Sequence, residues 1–290
     1  MTRTAEQLRE EGLAQVRAGE LENALSLYDA ARDASSEDEF RELITINKAD
    51  AMIALGRTGP EVNELPVIIM RRRTLRHVYL AAYALQFKNH IGGSFERAVS
   101  YGQLALRTAE EAGEISWQRP VYLELGNTYV ENSKFEEAAR SYERVLEFVD
   151  ESQSNQDRQW SHGGALEGIG YCKIIQGQVE EGLAFVHQSL PYFTRSFDLA
   201  ESYIDLCYGY LQLGDTASAQ QWGEKALSIA EDARHIRNGH YMLGEAAFHA
   251  ADFETADYHF GELAKFYPEF RSLKNLLFAV DLRSIVNLKI

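Results

Sequence analysis

Small residues recur along this chain in a pattern that pairs of packed helices require. Alanine or glycine stands at positions 24, 98, 138, 182, 219 and 256, each within apolar residues at helical spacing. The successive separations are 74, 40, 44, 37 and 37 residues. The first is twice 37, which leaves room for one degenerate copy centred near Glu61. Twelve residues before most of these anchors a second small residue recurs, as Gly12, Gly126, Gly170, Cys207 and Gly244. Between the two lies a polar or glycine-containing turn: Ala18-Gly19-Glu20, Leu55-Gly56-Arg57, Ile91-Gly92-Gly93, Asn132-Ser133-Lys134, Gln176-Gly177-Gln178, Leu213-Gly214-Asp215 and Ala250-Ala251-Asp252. A small residue on each helix lets two antiparallel helices approach closely. Such a helix pair cannot bury its apolar face alone, so neighbours must stack and share a core. The pattern therefore predicts an all-α chain of about seven antiparallel helix pairs.

The clearest copy reads Tyr122-Leu123-Glu124-Leu125-Gly126-Asn127-Thr128-Tyr129, then Phe135-Glu136-Glu137-Ala138-Ala139-Arg140-Ser141-Tyr142. The last copy carries Met242-Leu243-Gly244, Phe253-Glu254-Thr255-Ala256, Phe260, Leu263 and Pro268, and the first carries Gly12, Leu21-Glu22-Asn23-Ala24, Tyr28 and Ala31. This resembles the tetratricopeptide repeat over residues 5–268. The resemblance implies a right-handed superhelical solenoid in a single domain spanning residues 1–290. Its repeats would fall at approximately 5–36, 42–73, 78–113, 119–152, 163–195, 200–233 and 237–268, with a C-terminal capping helix over 269–290. The spacing departs from the standard repeat of about 34 residues. Second helices look lengthened at Ala105–Gly113 and Ala226–Ala233, a style similar to repeats of kinesin light chains and bacterial signal-sensing regulators. The second copy holds Pro60 and Pro66, where a distortion or hinge is expected.

The resemblance also implies that the first helix of each pair lines a concave inner wall. Counted from the small residue, the inward positions include Leu123, Asn127, Val130 and Glu131; Glu167, Tyr171, Ile174 and Ile175; Ile204, Tyr208, Leu211 and Gln212; and Tyr241, Glu245, Phe248 and His249, with Tyr83, Phe87 and His90 in the third repeat. The candidate peptide groove is accordingly Tyr83, Phe87, Asn127, Glu131, Tyr171, Tyr208, Tyr241, Phe248 and His249. An exposed aromatic wall of this kind suits an extended peptide or an amphipathic helix. The alternative is that a tightly wound solenoid buries these rings against one another. The carboxylate clamp of chaperone-binding relatives is incomplete. Asn127 occupies its first Asn position, but Leu123 stands where Lys is needed, Gly168 at the second Asn, and Ile204 and Tyr208 at the basic pair. In the other frame Asn47 matches, but Arg9 and Leu13 precede it.

Composition narrows the function further. Among the 290 residues 45% are hydrophobic and 25% charged, ordinary for a folded chain. The net charge is −15, from 44 acidic and 29 basic residues, which repels phosphate backbones and anionic lipid. Arg71, Arg72, Arg73 and Arg76 form the one basic run, read as a solvated helix end whose charge suits the helix dipole. No stretch approaches about 20 uninterrupted apolar residues, and the N-terminus lacks the apolar core of a signal peptide. Cys172 and Cys207 have neither zinc spacing nor a disulfide framework and read as buried thiols of a cytoplasmic protein. The chain carries no glycine-rich phosphate loop, no His-Glu-x-x-His and no Gly-x-Ser-x-Gly. His235 and His240, and His249 and His259, are not spaced as metal ligands on one helix face. Trp117, Trp160 and Trp222 are expected in the core. The sequence thus predicts a non-enzymatic binding scaffold without cofactor or metal, taking a protein or peptide and neither nucleic acid nor membrane. The alternatives are a peptide-responsive sensor, for which the start near Ala5 leaves no room for a DNA-binding helix-turn-helix, and a self-assembling homo-oligomer.

Overall fold

The structure, a computed structural model, describes residues 3–148 and 155–279. Among these, the regular secondary structure is helical throughout. Seven pairs follow in order: α1 (Ala5–Arg17) and α2 (Leu21–Asp33), α3 (Asp38–Ala54) and α4 (Pro60–Arg71), α5 (Leu75–Ile91) and α6 (Phe95–Ala112), α7 (Gln118–Glu131) and α8 (Phe135–Glu147), α9 (Asn155–Ile175) and α10 (Val179–Ser189), α11 (Ser196–Leu213) and α12 (Thr216–Ile229), and α13 (Ala233–His249) and α14 (Phe253–Ala264). A short α15 (Leu273–Leu277) ends the described chain. The chain divides into two compact units, Met1–Thr128 and Tyr129–Ile290.

The small anchors sit where the pairs cross. Ala24, Ala98, Ala138, Ala219 and Ala256 are fully buried, as is Cys207. At the α9–α10 crossing a Cβ on Gly170 would lie 2.8 Å from the Gly182 carbonyl oxygen, so two backbones touch directly. At Gly12 the added atom would strike the Tyr28 ring at 2.5 Å, and at Gly244 the Phe260 ring at 2.3 Å. One large ring on the second helix thus fills the space that one glycine on the first leaves open.

Within each unit the stack continues from pair to pair. In the first unit α2 packs on α3, α4 on α5, and α3 directly on α5. In the second, α8 packs on α9, α10 on α11, α12 on α13, and α11 on α13. A first helix is therefore enclosed on several sides. Nine of the 18 residues of α11 are buried, among them Ile204, Cys207, Tyr208 and Leu211, and its apolar character runs nearly all round. The core of that region is built from Ile174, Leu183, Val186, Leu206, Leu211 and Met242.

The degenerate second pair forms without the small anchor. Val62, Leu65 and Ile68 of α4 are buried in its place, and α3 and α4 meet less extensively than the α1–α2 or α5–α6 pairs. Pro60 stands in the first turn of α4, where its missing N–H costs nothing, and the helix continues through Pro66. Burial of the three aliphatic groups offsets the one backbone hydrogen bond that Pro66 removes. At the other end, Leu277 and Phe278 close the core below Phe260, with the two phenyl rings 5.0 Å apart and edge-on. The capping helix expected over 269–290 is represented by α15; residues 280–290 lie outside the described residues.

Five of the seven intrapair turns place a glycine in the left-handed region, as at Gly177 (φ 83°). The fourth and seventh use Ser133 (φ 55°) and Ala251 (φ 60°) instead. A Cβ in that region costs about 1–2 kcal/mol, part of which the greater entropy of an unfolded glycine cancels. Ala251→Gly is therefore expected to stabilise the protein by about 0.5–1 kcal/mol, raising Tm by roughly 1–3 °C in a thermal melt. A lower Tm in the variant would contradict the strain.

Candidate binding wall of the first helices

In the first unit the wall is assembled from α3, α5 and the start of α7. Tyr83 and Phe87 of α5 are half-buried, with Tyr83 stacked on Tyr79 at 6.2 Å and Tyr79 on Trp117 at 4.6 Å. The Tyr79 hydroxyl donates to the Trp117 carbonyl at 2.8 Å, which fixes the whole stack. Burial raises the Tyr83 phenol well above its ordinary range, with Glu124 adding to the effect. His90 Nδ1 lies 3.1 Å from the Thr128 hydroxyl, its Nε2 3.9 Å from Glu124, and burial lowers its pKa. Asn127 is half-buried on α7. On α3, burial pushes the Asp50 carboxyl up to about 6. Asn47 accepts a 3.0 Å hydrogen bond from Arg9 Nε, so the residue that matched the chaperone clamp already has a partner within the chain.

The second unit departs from the expected aromatic wall. Tyr171 is fully buried and Tyr208 is 2% exposed. They are packing groups, because α9 and α11 are enclosed by their neighbours on the sides where these rings stand. Tyr171 meets Phe135 edge-on at 6.4 Å. Tyr241, Phe248 and His249 are half-buried. Phe248 packs against Phe253 and Phe278, both at 5.8 Å, and His249 Nε2 lies 3.6 Å from the buried Glu245. Glu131 is exposed at the end of α7, and desolvation of its carboxyl raises its pKa against the opposing charge of Arg234.

What the first helices of this unit do bring together is charge. One carboxylate oxygen from each of Glu167 on α9 and Glu201 and Asp205 on α11 lies within 4.8 Å of the others. Glu201 accepts from Arg234 Nη2 at 2.6 Å and lies 2.7 Å from Nε2 of the buried His235. His235 Nδ1 meets Asp232, which also caps α13 by accepting from the backbone N–H groups of Arg234 at 2.9 Å and His235 at 3.0 Å. Because Glu201 is already committed to Arg234 and His235, this cluster reads as a salt-bridge network and not as a metal cage.

An aromatic and arginine edge runs beside it. Trp160 is 42% exposed and Phe197 51% exposed. The Arg195 guanidinium sits 5.5 Å over the Trp160 ring, and that of Arg234 5.5 Å over Phe197. Phe197 also meets His235 edge-on at 4.7 Å, and Trp160 Nε1 donates to Asp198 at 3.3 Å. Trp160, Phe197 and Arg234 are spaced 37 residues apart, the period of the anchors themselves. Each stands ten residues before the small residue of its first helix, Gly170, Cys207 or Gly244, one helical turn ahead of the inward positions. Of the charged cluster, Glu167 and Glu201 fall on inward positions, three before Gly170 and six before Cys207, and Asp205 does not. Trp160 thus belongs to an exposed edge, while Trp117 and Trp222 are half-buried, the latter beneath Lys225 Nζ at 3.8 Å.

The basic run is likewise absorbed by ion pairs. Arg71 reaches Glu64 at 3.1 Å and Glu42 at 3.5 Å, Arg72 meets Glu111, and Arg73 lies 3.9 Å from Glu42. Glu42 in turn holds the buried His77 at 3.0 Å. Cys172 and Cys207 are free and buried, and burial pushes the Cys207 thiol far above its ordinary range. Among the described residues no helix is long and apolar enough to cross a membrane.

A family model described as tetratricopeptide repeat matches residues 120–148, the segment of α7 and α8. A comparison with curated protein sequences finds no match. Several solved structures share the fold. A Rap protein complexed with Competence and Sporulation Factor superposes with a TM-score of 0.69 at 14% identity, over 97% of this chain and 82% of that one. NprR in complex with its cognate peptide NprX gives 0.67 at 12% identity, over 95% and 82%. The apo form of RapI gives 0.65 at 14% identity, over 92% and 99%. At these identities the likeness is one of fold. The chain thus carries a tetratricopeptide-repeat match over residues 120–148 and has the helical-repeat fold of these structures.

Proposed function

We propose that the chain is a non-enzymatic binding protein that holds an extended peptide segment on the first-helix wall of its second unit. The observation that carries this reading is the juxtaposition of the Glu167–Glu201–Asp205 carboxylates with the exposed Trp160–Arg195–Phe197–Arg234 edge. Carboxylates so close favour a cationic side chain or a free amine beside them, in the way Arg234 already meets Glu201. Exposed Trp, Phe and Arg are the groups that anchor protein partners most often. The peptide that fits is therefore mixed, with a basic residue over the carboxylates and an apolar one against Trp160 or Phe197. Two solved structures of the same fold are complexes, one with Competence and Sporulation Factor and one with a cognate peptide. That supports a second reading, in which peptide binding alters the chain and through it a partner. Residence in the cytoplasm, where Cys172 and Cys207 stay reduced, and a surface that rejects nucleic acid belong to the same proposal.

The test is affinity capture from the source organism with wild-type protein and with a Trp160→Ala/Glu167→Lys variant, followed by titration of the captured partner's segments. Loss of roughly tenfold or more in affinity is expected, about 1.4 kcal/mol or greater. An unchanged set of partners at unchanged affinity would refute the wall as the binding site. A peptide-dependent change in small-angle scattering would single out the sensor, and a concentration-dependent mass without peptide would favour self-assembly.

A further inference from the structure

His240 on α13 and His259 on α14 face each other across the last helix pair, with their Nδ1 atoms 3.0 Å apart and ring centroids 5.2 Å apart. Both are half-buried and reachable from solvent, beside the exposed Tyr258, whose ring meets theirs edge-on. Two neutral imidazoles can share one N–H···N hydrogen bond in this arrangement. The same geometry is close to a two-histidine chelate. Two nitrogens bound at about 2.0–2.1 Å to a tetrahedral ion stand about 3.3 Å apart, so the rings need open by only about 0.3 Å. Glu262 follows His259 by three residues, hence on the same helical face, one turn along. Lys265 Nζ holds its carboxylate at 2.5 Å. The charged groups facing the pair are Glu262 from α14, Lys265 just past its end and Glu224 from α12. Burial lowers the pKa of both histidines, and His240 lowers that of His259 further, which keeps them in the form that ligates.

We propose that His240 and His259 form a site for one divalent transition-metal ion of the zinc class, with water completing the coordination. The ring that donates through Nδ1 in the metal-free pair moves its proton to Nε2 when the ion enters, so both Nδ1 lone pairs reach the metal and the pair releases no net proton. A pair of imidazole nitrogens suits Zn²⁺, Ni²⁺ or Cu²⁺ and not Ca²⁺ or Mg²⁺. The site shares no residue with the carboxylate network of Glu167, Glu201 and Asp205 and does not depend on peptide binding.

Calorimetric titration of the full chain with Zn²⁺ at pH 7.5 is expected to show one site per chain, with Mg²⁺ giving no heat. His240→Asn and His259→Asn should each weaken it by roughly tenfold or more, and Glu262→Gln by less. Zn²⁺ should also shift the side-chain nitrogen resonances of both histidines in the wild-type protein, a readout that requires no variant to fold. Co²⁺ in place of Zn²⁺ should give the visible absorption of a low-coordinate nitrogen–oxygen site. Equal affinity in wild-type protein and His259→Asn, or unmoved histidine resonances at saturating Zn²⁺, would overturn the proposal.

Discussion

Tyr171→Ala is expected to destabilise the protein by about 3–5 kcal/mol, the range for truncating a buried aromatic side chain. The ring is fully buried on α9, edge-on to Phe135 at 6.4 Å. Its helix is enclosed by α8 on one side and α10 on the other, so neither neighbour can collapse into the space without losing its own contacts. Trp160→Ala on the same helix removes a larger ring that is 42% exposed and should cost less than about 1 kcal/mol. Urea denaturation followed by circular dichroism compares the two directly: the midpoint should fall sharply for Tyr171→Ala and barely for Trp160→Ala. Binding should show the reverse order. A small stability loss at Tyr171 would return that ring to the groove where its inward position first placed it.

That contrast shows which layer of the structure the sequence carries. The helix pairs were legible because their cause is local and steric. Gly12, Gly170, Cys207 and Gly244 recur with Ala24, Gly182, Ala219 and Ala256 since no larger side chain fits the crossings. Whether an inward position is open or filled depends instead on how closely successive first helices approach, which is decided by contacts some 35 residues away. Tyr171 and Tyr208 therefore carry the signature of a groove and the environment of a core. The Glu201–His235 pair, 34 residues apart, and the Glu42–His77 pair, 35 apart, are of the same kind. Each joins one first helix to the next, and nothing within a single repeat announces it. The edge of Trp160, Phe197 and Arg234 was recoverable in principle. Its members differ in residue type, however, and only the shared 37-residue spacing relates them. In the second pair a glutamate, Glu61, stands at the anchor position where the other pairs have alanine or glycine, and α3 and α4 meet less extensively there.

The crossing of α9 and α10 offers the sharpest test of that steric cause. Gly182→Ala adds one methyl group, and at almost any other helical position it would stabilise, because alanine is the better helix former by about 1 kcal/mol. Here the new Cβ would lie 2.5 Å from the carbonyl oxygen of Gly170 and 2.7 Å from the Ile174 side chain. Ile174 could change rotamer, but the carbonyl belongs to the α9 backbone, so the helices themselves must separate by close to an ångström. Both neighbours of the crossing, Val186 and Leu183, are buried in the core that joins this pair to α11, and the separation would loosen that core as well. Overpacking of this kind costs about 1–3 kcal/mol when side chains can yield, and the upper end or beyond is expected where backbone must move. Ala219→Gly, at the equivalent anchor of the next pair, makes the opposite change and should cost about 2 kcal/mol, roughly 1 from helix propensity and roughly 0.8 from one buried methyl, with the helix spacing unchanged. If Gly182→Ala melted at or above the wild-type temperature, direct backbone contact could not be what sets the spacing of these pairs, and the recurrence of small residues at 37-residue intervals would need another cause.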